Sequence, residues 1–321
     1  MPPLLAFIGR RLLRGLITLW FAITVTFLLL RLLPGDPITA LASTNMDAAT
    51  RADLLARYGL SDPLWVQYGK YFTQLFQGDL GISFAQKQPV TEVLLARLPW
   101  TLLLTASALV VTVLVGVPLG VLAATRARTA LDRFVQIGGV VAQSLFVPSI
   151  GILLLWVLGL QLGWLPIGGA FADDVYGMAW YGSVALHLIL PCLSLVLVSL
   201  GSYVLTMRAT LIDALGEDYC DLAKAKGMPQ RTVVWKHALR NALLPTTTLL
   251  GLQLGFMVGG AVLTETIFAY PGVGRAIYDS VTQLDFPVLQ GAFVMLAVTV
   301  VLANFLTDLA YGVLDPRVRA S

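Results

Sequence analysis

Long stretches of this chain carry no charge, and short polar segments separate them. Runs at Leu98–Thr125, Phe134–Ala172, Val175–Met207, Asn241–Thr264 and Phe286–Thr307 are free of Asp, Glu, Lys and Arg. A helix needs about 20 mostly apolar residues to cross the hydrocarbon core of a bilayer. Each run meets that length. A sixth candidate, Gly15–Leu33, is interrupted only by Arg31, near enough to its end to snorkel to the headgroups. The pattern predicts an all-α polytopic membrane protein with six transmembrane helices.

Basic residues set the orientation, because cytoplasmic loops collect Lys and Arg. Four clusters stand at Arg10, Arg11 and Arg14; at Arg126, Arg128 and Arg133; at Arg208, Lys224, Lys226, Arg231, Lys236 and Arg240; and at Arg317 and Arg319. Six crossings put all four clusters on one side, so both termini are expected in the cytoplasm. The expected division is 1–33 for the N-terminus and first span, 34–99 for an extracytoplasmic region, and 100–321 for the remaining spans. A cytoplasmic loop at 208–245 lies within the last part. No small-residue cleavage site follows the first run, which reads as a retained helix.

Segment 34–99 predicts a small helical insertion between helices 1 and 2. One helix is expected from Asp47 to Tyr58. A second follows Ser61-Asp62-Pro63, with Leu64, Tyr68, Tyr71, Phe72, Leu75 and Phe76 on one apolar side and Gly78 as its stop. Pro118, Pro148 and Pro191 predict kinks inside spans. Gly251, Gly255 and Gly259 form a smooth stripe at helical spacing, the pattern of close helix packing.

Composition agrees. Apolar residues make up 57% and charged residues 12%, against roughly a quarter charged in soluble domains. A net charge of +3 is too small to suggest a nucleic-acid partner. Cys192 and Cys220 fall in different compartments under this topology, which argues against a disulfide. With His187 and His237 the only histidines, no metal site is written. The chain has no G-x-x-x-x-G-K-[ST] phosphate loop and no hydrolase nucleophile motif, so no catalytic residue is assigned. Asp308 and Glu265 lie near the ends of their spans, whereas ion-coupled transporters carry ionisable groups nearer the midplane. A self-sufficient, ion-gradient-driven secondary transporter is therefore the alternative reading.

The loop after span four is long, charged and patterned. Leu211 to Gly227 reads as one helix closed by a glycine, with Lys224 and Lys226 complementing its dipole. Met228-Pro229 then turn the chain, and a second helix begins near Gln230 and runs into span five. The run Asp221-x-Ala223-x3-Gly227 followed by Asn241-Ala242-Leu243-Leu244-Pro245 resembles the EAA loop of ABC importer permeases, specifically the dipeptide/oligopeptide, nickel and glutathione permease family. The general pattern has Glu in place of Asp221, Ala in place of Leu222 and a shorter spacing to Leu-Pro; those departures are typical of this subfamily. Leu32-Leu33-Pro34-Gly35-Asp36-Pro37, the run Glu265–Arg275, the run Asn304–Tyr311 and Asp315-Pro316-Arg317 resemble further segments of the same family. The long segment after span one resembles the first of two paired permease subunits.

The resemblance implies the ABC importer permease fold and a set of partners: a second permease subunit, one or two ATP-binding subunits that hold ATP and magnesium, an extracellular solute-binding protein, and membrane lipid. It carries no cofactor onto this chain. It implies a coupling helix near Glu217–Met228, with Glu217, Asp218, Tyr219, Asp221, Ala223, Lys224, Ala225, Gly227 and Met228 engaging the ATP-binding subunit. Gln253, Gly255 and Asn304 are the polar or small candidates for a substrate path. Asp36, Glu265, Pro271 and Gly272 are candidates for binding-protein docking. The expected location is a bacterial or archaeal cytoplasmic membrane.

Overall fold

The computed structural model of the chain describes residues 2–32 and 62–314. Among the described residues there is no strand, only an isolated antiparallel bridge between Ile82 and Pro89. The helices are α1 (Pro2–Leu32), α2 (Leu64–Phe76), α3 (Val90–Thr125), α4 (Ala130–Ser144), α5 (Val147–Leu154), α6 (Met178–Leu215), α7 (Asp218–Ala225), α8 (Leu239–Ile267), α9 (Val273–Thr282) and α10 (Phe286–Leu314). Single helices long and apolar enough to cross a membrane are Ile8–Arg31, Val90–Thr125, Met178–Leu215 and Phe286–Phe305. The expected helix Asp47–Tyr58 lies outside the described residues, and so does Asp36.

The third expected span is not one helix. Ala130–Ser144 and Val147–Gln161 meet at a break and are bent by 102°. Pro148 sits in the first turn of α5 rather than inside a continuous helix, where its missing N–H costs nothing. α5 then widens into a π-helical stretch, Leu155–Gln161. The second span also differs from expectation, because α3 begins at Val90 rather than Leu98. At 36 residues it is about 54 Å long, well beyond a ~30 Å hydrocarbon core.

The chain divides into two compact units, Met1–Thr101 with Pro271–Leu302, and Leu102–Tyr270 with Ala303–Ser321. In the first unit, the start of α3 packs on α10 at Gly291, where an added Cβ would lie 2.7 Å from Val90 Cγ1. Val90 and Leu94 are fully buried there. Asp285, the residue before α10, is buried and accepts hydrogen bonds from Ser83 Oγ (2.5 Å) and from the Phe84 and Ala85 N–H groups (3.1 Å each). It also accepts from Val288 N at 3.5 Å, so one carboxylate caps a helix and holds a loop 200 residues away in sequence.

In the second unit, α6 is clasped by α3 and α4 through glycines. A Cβ at Gly120 would stand 2.6 Å from Met207 Cβ, and one at Gly116 2.9 Å from Tyr203 Cβ. At Gly201 it would come within 2.1 Å of the Gly139 carbonyl oxygen. These glycines let backbones approach as closely as small residues do at membrane helix seams. Gly251, by contrast, meets Asn304 Oδ1 and Thr307 Cγ2 only at ordinary van der Waals distance, 3.8 and 3.6 Å.

Candidate functional site

The polar loop after α6 folds into a short separate helix rather than a continuation of the span. α6 ends at Leu215, Gly216 breaks it, and α7 begins after Glu217. The expected single helix from Leu211 to Gly227 is therefore two, because the chain leaves the helix at Glu217, which is extended (φ −80°, ψ 148°). Glu217 precedes α7 without a side-chain cap; its carbonyl accepts from Cys220 N (2.9 Å) and Asp221 N (3.3 Å). Asp218 and Asp221 lie in the first turn, where negative charge suits the helix dipole.

The end of α7 is a Schellman motif. Gly227 has φ +76°, its N–H donates to Lys224 O at 2.9 Å, and Met228 N–H donates to Ala223 O at 3.3 Å. That pairing satisfies two orphan carbonyls and needs a left-handed residue after the cap, which glycine adopts without penalty. Pro229 follows and starts a helical turn, Gln230–Thr232, then a π-helical stretch, Val233–Ala238, that leads straight into α8. The second helix of the expected hairpin is thus the root of span five itself.

α7 has two faces. Cys220 and Ala223 are buried in a cluster with Val121 and Ala124 of α3, Leu211 and Ala214 of α6, and Val233, Val234 and Ala238. Tyr219 is half-buried at its rim. Burial pushes the Cys220 thiol up from its ordinary value. The opposite face exposes Asp218, Asp221, Leu222 and Ala225, continued by Met228. Leu222 is 58% exposed and Met228 38%, a mixed apolar and acidic surface carried on a helix rooted in two spans. Lys224 reaches back to Leu215 O (3.3 Å) and pairs with Asp221 (2.8 Å). It therefore ties α7 to the end of α6, rather than serving only the helix dipole. Lys226 is exposed.

One support of this loop went unread in the sequence. Arg208, about two turns before the end of α6, donates through Nε and Nη2 to both carboxylate oxygens of Asp132, at 2.5 and 2.8 Å. Asp132 is buried in the first turn of α4 and also accepts from Arg128 N at 2.8 Å. A bidentate fork of this kind is directional as well as strong. Thr129, the cap of α4, and Asp132 stand three apart, the spacing of a capping pair; that was the available signal for Asp132. Nothing in the sequence paired it with Arg208, 76 residues away. Further along, Thr210 Oγ1 donates to Ala242 O (3.0 Å) and Thr246 Oγ1 contacts Met207 Sδ (3.6 Å), joining α6 to α8.

The other sequence candidates are scattered. Asn304 is half-buried beside Gly251. Gln253 and Gly255 lie in α8, and the surroundings of both fall outside what the structure describes. Glu265 is fully buried, Gly272 is buried and Pro271 is half-buried. Gly272 starts α9, where Val273 N donates to Thr101 Oγ1 at 2.8 Å. Burial gives Glu265 and Gly272 a packing role and removes them from any directly exposed docking surface. Among the described residues, no group of three or more His, Cys, Asp and Glu side chains gathers to hold a metal ion.

Residues 116–320 match the family described as binding-protein-dependent transport system inner membrane component, and residues 4–105 match its N-terminal counterpart. The chain belongs to this family. It is 35% identical to the oligopeptide transport system permease protein AppB of Bacillus subtilis, over 98% of this chain and 99% of that one. It is 36% identical to the dipeptide permease DppB of Escherichia coli K12, and 35% to the glutathione permease GsiC of Salmonella paratyphi A, with the same coverage. An inward-facing structure of the MetNI methionine ABC transporter shares the fold at TM-score 0.56 and 16% identity, covering 70% of this chain and 96% of that one. This permease is accordingly a multi-pass inner-membrane transport subunit of an ABC importer, not an enzyme. Its family works with an ATPase and a binding protein, and nothing found favours a self-sufficient secondary transporter.

Proposed function

We propose that this permease is the first of two paired permease subunits in an importer of peptides or related small solutes, and that α7 is its coupling helix. The substrate class rests on the oligopeptide, dipeptide and glutathione permeases to which it is similar across nearly its whole length. The observation that carries the coupling role is the two-faced α7. Its buried face joins a core shared with α3, α6 and the root of α8, so displacement of its exposed face is passed to spans rather than absorbed by a loop. Asp218, Asp221, Leu222, Ala225 and Met228 form the contact surface for an ATP-binding subunit that carries ATP and magnesium. Glu217, Tyr219, Ala223, Lys224 and Gly227 hold that surface in shape. Six crossings with both termini cytoplasmic complete the reading, and a solute-binding protein delivers substrate on the outer side.

Leu222→Glu tests it, because this side chain is exposed and its replacement leaves the packed face of α7 intact. The variant should insert and accumulate as wild type, lose co-purification of the ATP-binding subunit, and lose uptake. Retained co-purification with normal uptake would refute the assignment of α7.

A further inference from the structure

α2, in the segment expected to stand outside the membrane, packs against α1 well below its outer end. Tyr68 Oη lies 2.8 Å from Thr24 Oγ1. The Phe27 ring contacts Tyr68 edge-on at 5.3 Å and stacks on Tyr71 at 5.7 Å. Arg31, the last residue of the apolar span Ile8–Arg31, turns its guanidinium back to 5.3 Å from the Phe27 ring centroid. Thr24 is seven residues inward of Arg31 and Phe27 four, so their contacts with α2 sit about 10 and 6 Å short of the end of that span.

The surface of α2 divides three ways. Gln67, Tyr68, Tyr71 and Leu75 are buried or half-buried. Lys70, Thr73, Gln74 and Gln77 form an exposed polar stripe. Between them, Trp65, Gly69, the half-buried Phe72 and Phe76 recur at intervals of three and four and share one side of the helix. Trp65 is 77% and Phe76 81% exposed. The sequence pattern put Phe72 and Phe76 on the packed side; Phe76 is instead turned outward. α1 likewise exposes large apolar side chains, Phe21, Leu28 and Leu29, at 63%, 44% and 60%.

We infer that α2 is an interfacial helix embedded in the outer leaflet, with Trp65, Phe72 and Phe76 in lipid at the boundary between headgroups and acyl chains and its Lys70–Gln77 stripe toward water. A helix with an aromatic face, a polar face and a fixed depth against a spanning helix has the character of an in-plane membrane anchor. It holds the outer end of α1 at a set height. The inference rests on the proposed orientation, with α1 crossing the bilayer toward the outer side, but not on the coupling role of α7, so the two can fail separately.

Site-directed spin labelling tests it in the complete transporter reconstituted in phosphatidylethanolamine/phosphatidylglycerol nanodiscs. Trp65→Cys, Phe76→Cys and Gln74→Cys are each labelled in a Cys192→Ala/Cys220→Ala background. Oxygen should relax labels at 65 and 76 several-fold more strongly, relative to an aqueous nickel chelate, than the label at 74. Equal nickel access at all three positions would show a water-facing helix and overturn the proposal. So would exclusion of both reagents from 65 and 76, which would mean a protein partner covers the stripe. The unlabelled protein supplies a second measurement. A phospholipid with a photoreactive diazirine near its headgroup should crosslink within Leu64–Phe76, and no adduct there would also overturn it.

Discussion

The seam at Gly201 allows the sharpest quantitative prediction. An alanine there would put its Cβ 2.1 Å from the Gly139 carbonyl oxygen and 2.9 Å from Gln143 Cγ. A carbon and a carbonyl oxygen settle at about 3.3 Å or more, so α4 and α6 must part by roughly 1.2 Å. The obstructing atom is backbone, which cannot rotate away as a side chain would. Overpacking of this kind costs about 1–3 kcal/mol and sometimes more, and the backbone clash puts Gly201→Ala at the top of that range. The same separation stretches the Arg208–Asp132 fork, so the loss reaches the base of α7. Gly251→Ala is the control. Its Cβ would meet Thr307 and Asn304 at 3.6 and 3.8 Å, and alanine is favoured over glycine in a helix by about 1 kcal/mol. Thermal unfolding of the purified protein should show a midpoint lowered by roughly 5 °C or more for Gly201→Ala. Gly251→Ala should be unchanged or higher. Equal midpoints, or the reverse order, would refute the packing argument.

Breaking the fork from either side should be costly and unequal. Arg208→Ala leaves Asp132, 1% exposed, as an unpaired buried carboxylate and should cost about 3–5 kcal/mol. Asp132→Ala leaves an arginine that is 20% exposed and should cost less. The double variant should fall well short of the sum in thermal unfolding, and strict additivity would sink the claim of a coupled pair. At Gly227 a Cβ meets nothing within 4 Å, so Gly227→Ala carries only the backbone cost of φ +76°, about 1 kcal/mol. Gly227→Pro also loses the N–H bond to Lys224 O. Co-purification of the ATP-binding subunit should survive the first and fail in the second; equal damage would contradict the Schellman reading. Because burial raises the Cys220 thiol, the folded protein holds that proton at a pH where the unfolded chain has released it. Stability should therefore fall as pH rises above the ordinary thiol value, and more so than in Cys220→Ala. Maleimide labelling of Cys220 should be slow at neutral pH until the loop is opened, and fast labelling in the intact protein would place α7 away from its core.

How much was legible varies by element. The run Phe134–Ala172 announced a membrane-depth segment but not its 102° break. Pro148 read as a kink because sequence alone does not say whether a proline starts a helix or interrupts one. Asp221, Ala223 and Gly227 were readable as a helix with its stop, since glycine after a basic last turn is a local signal. The break at Gly216–Glu217 was missed because a single internal glycine weakens a helix without ending it; it follows from α7 folding back to bury Cys220 and Ala223. Glu265 looked like an outward charge beside a loop and proved fully buried.

Local composition was enough to show which stretches are too apolar for water and where a glycine ends the loop helix. Uncharged length and cap chemistry are properties of neighbours along the chain, so a linear reading recovers them. The remaining features emerge from packing. The Arg208–Asp132 fork, the carboxylate of Asp285 holding a turn 200 residues away, and the Gly201–Gly139 seam each join residues far apart in the chain. Nothing local distinguishes those residues from a dozen others of their type. Their roles come from the close approach of helices, which no single helix specifies. The same holds for the exposed face of the loop helix. A short amphipathic segment is legible in the sequence, but which side remains free for a partner is decided by the spans that bury the other.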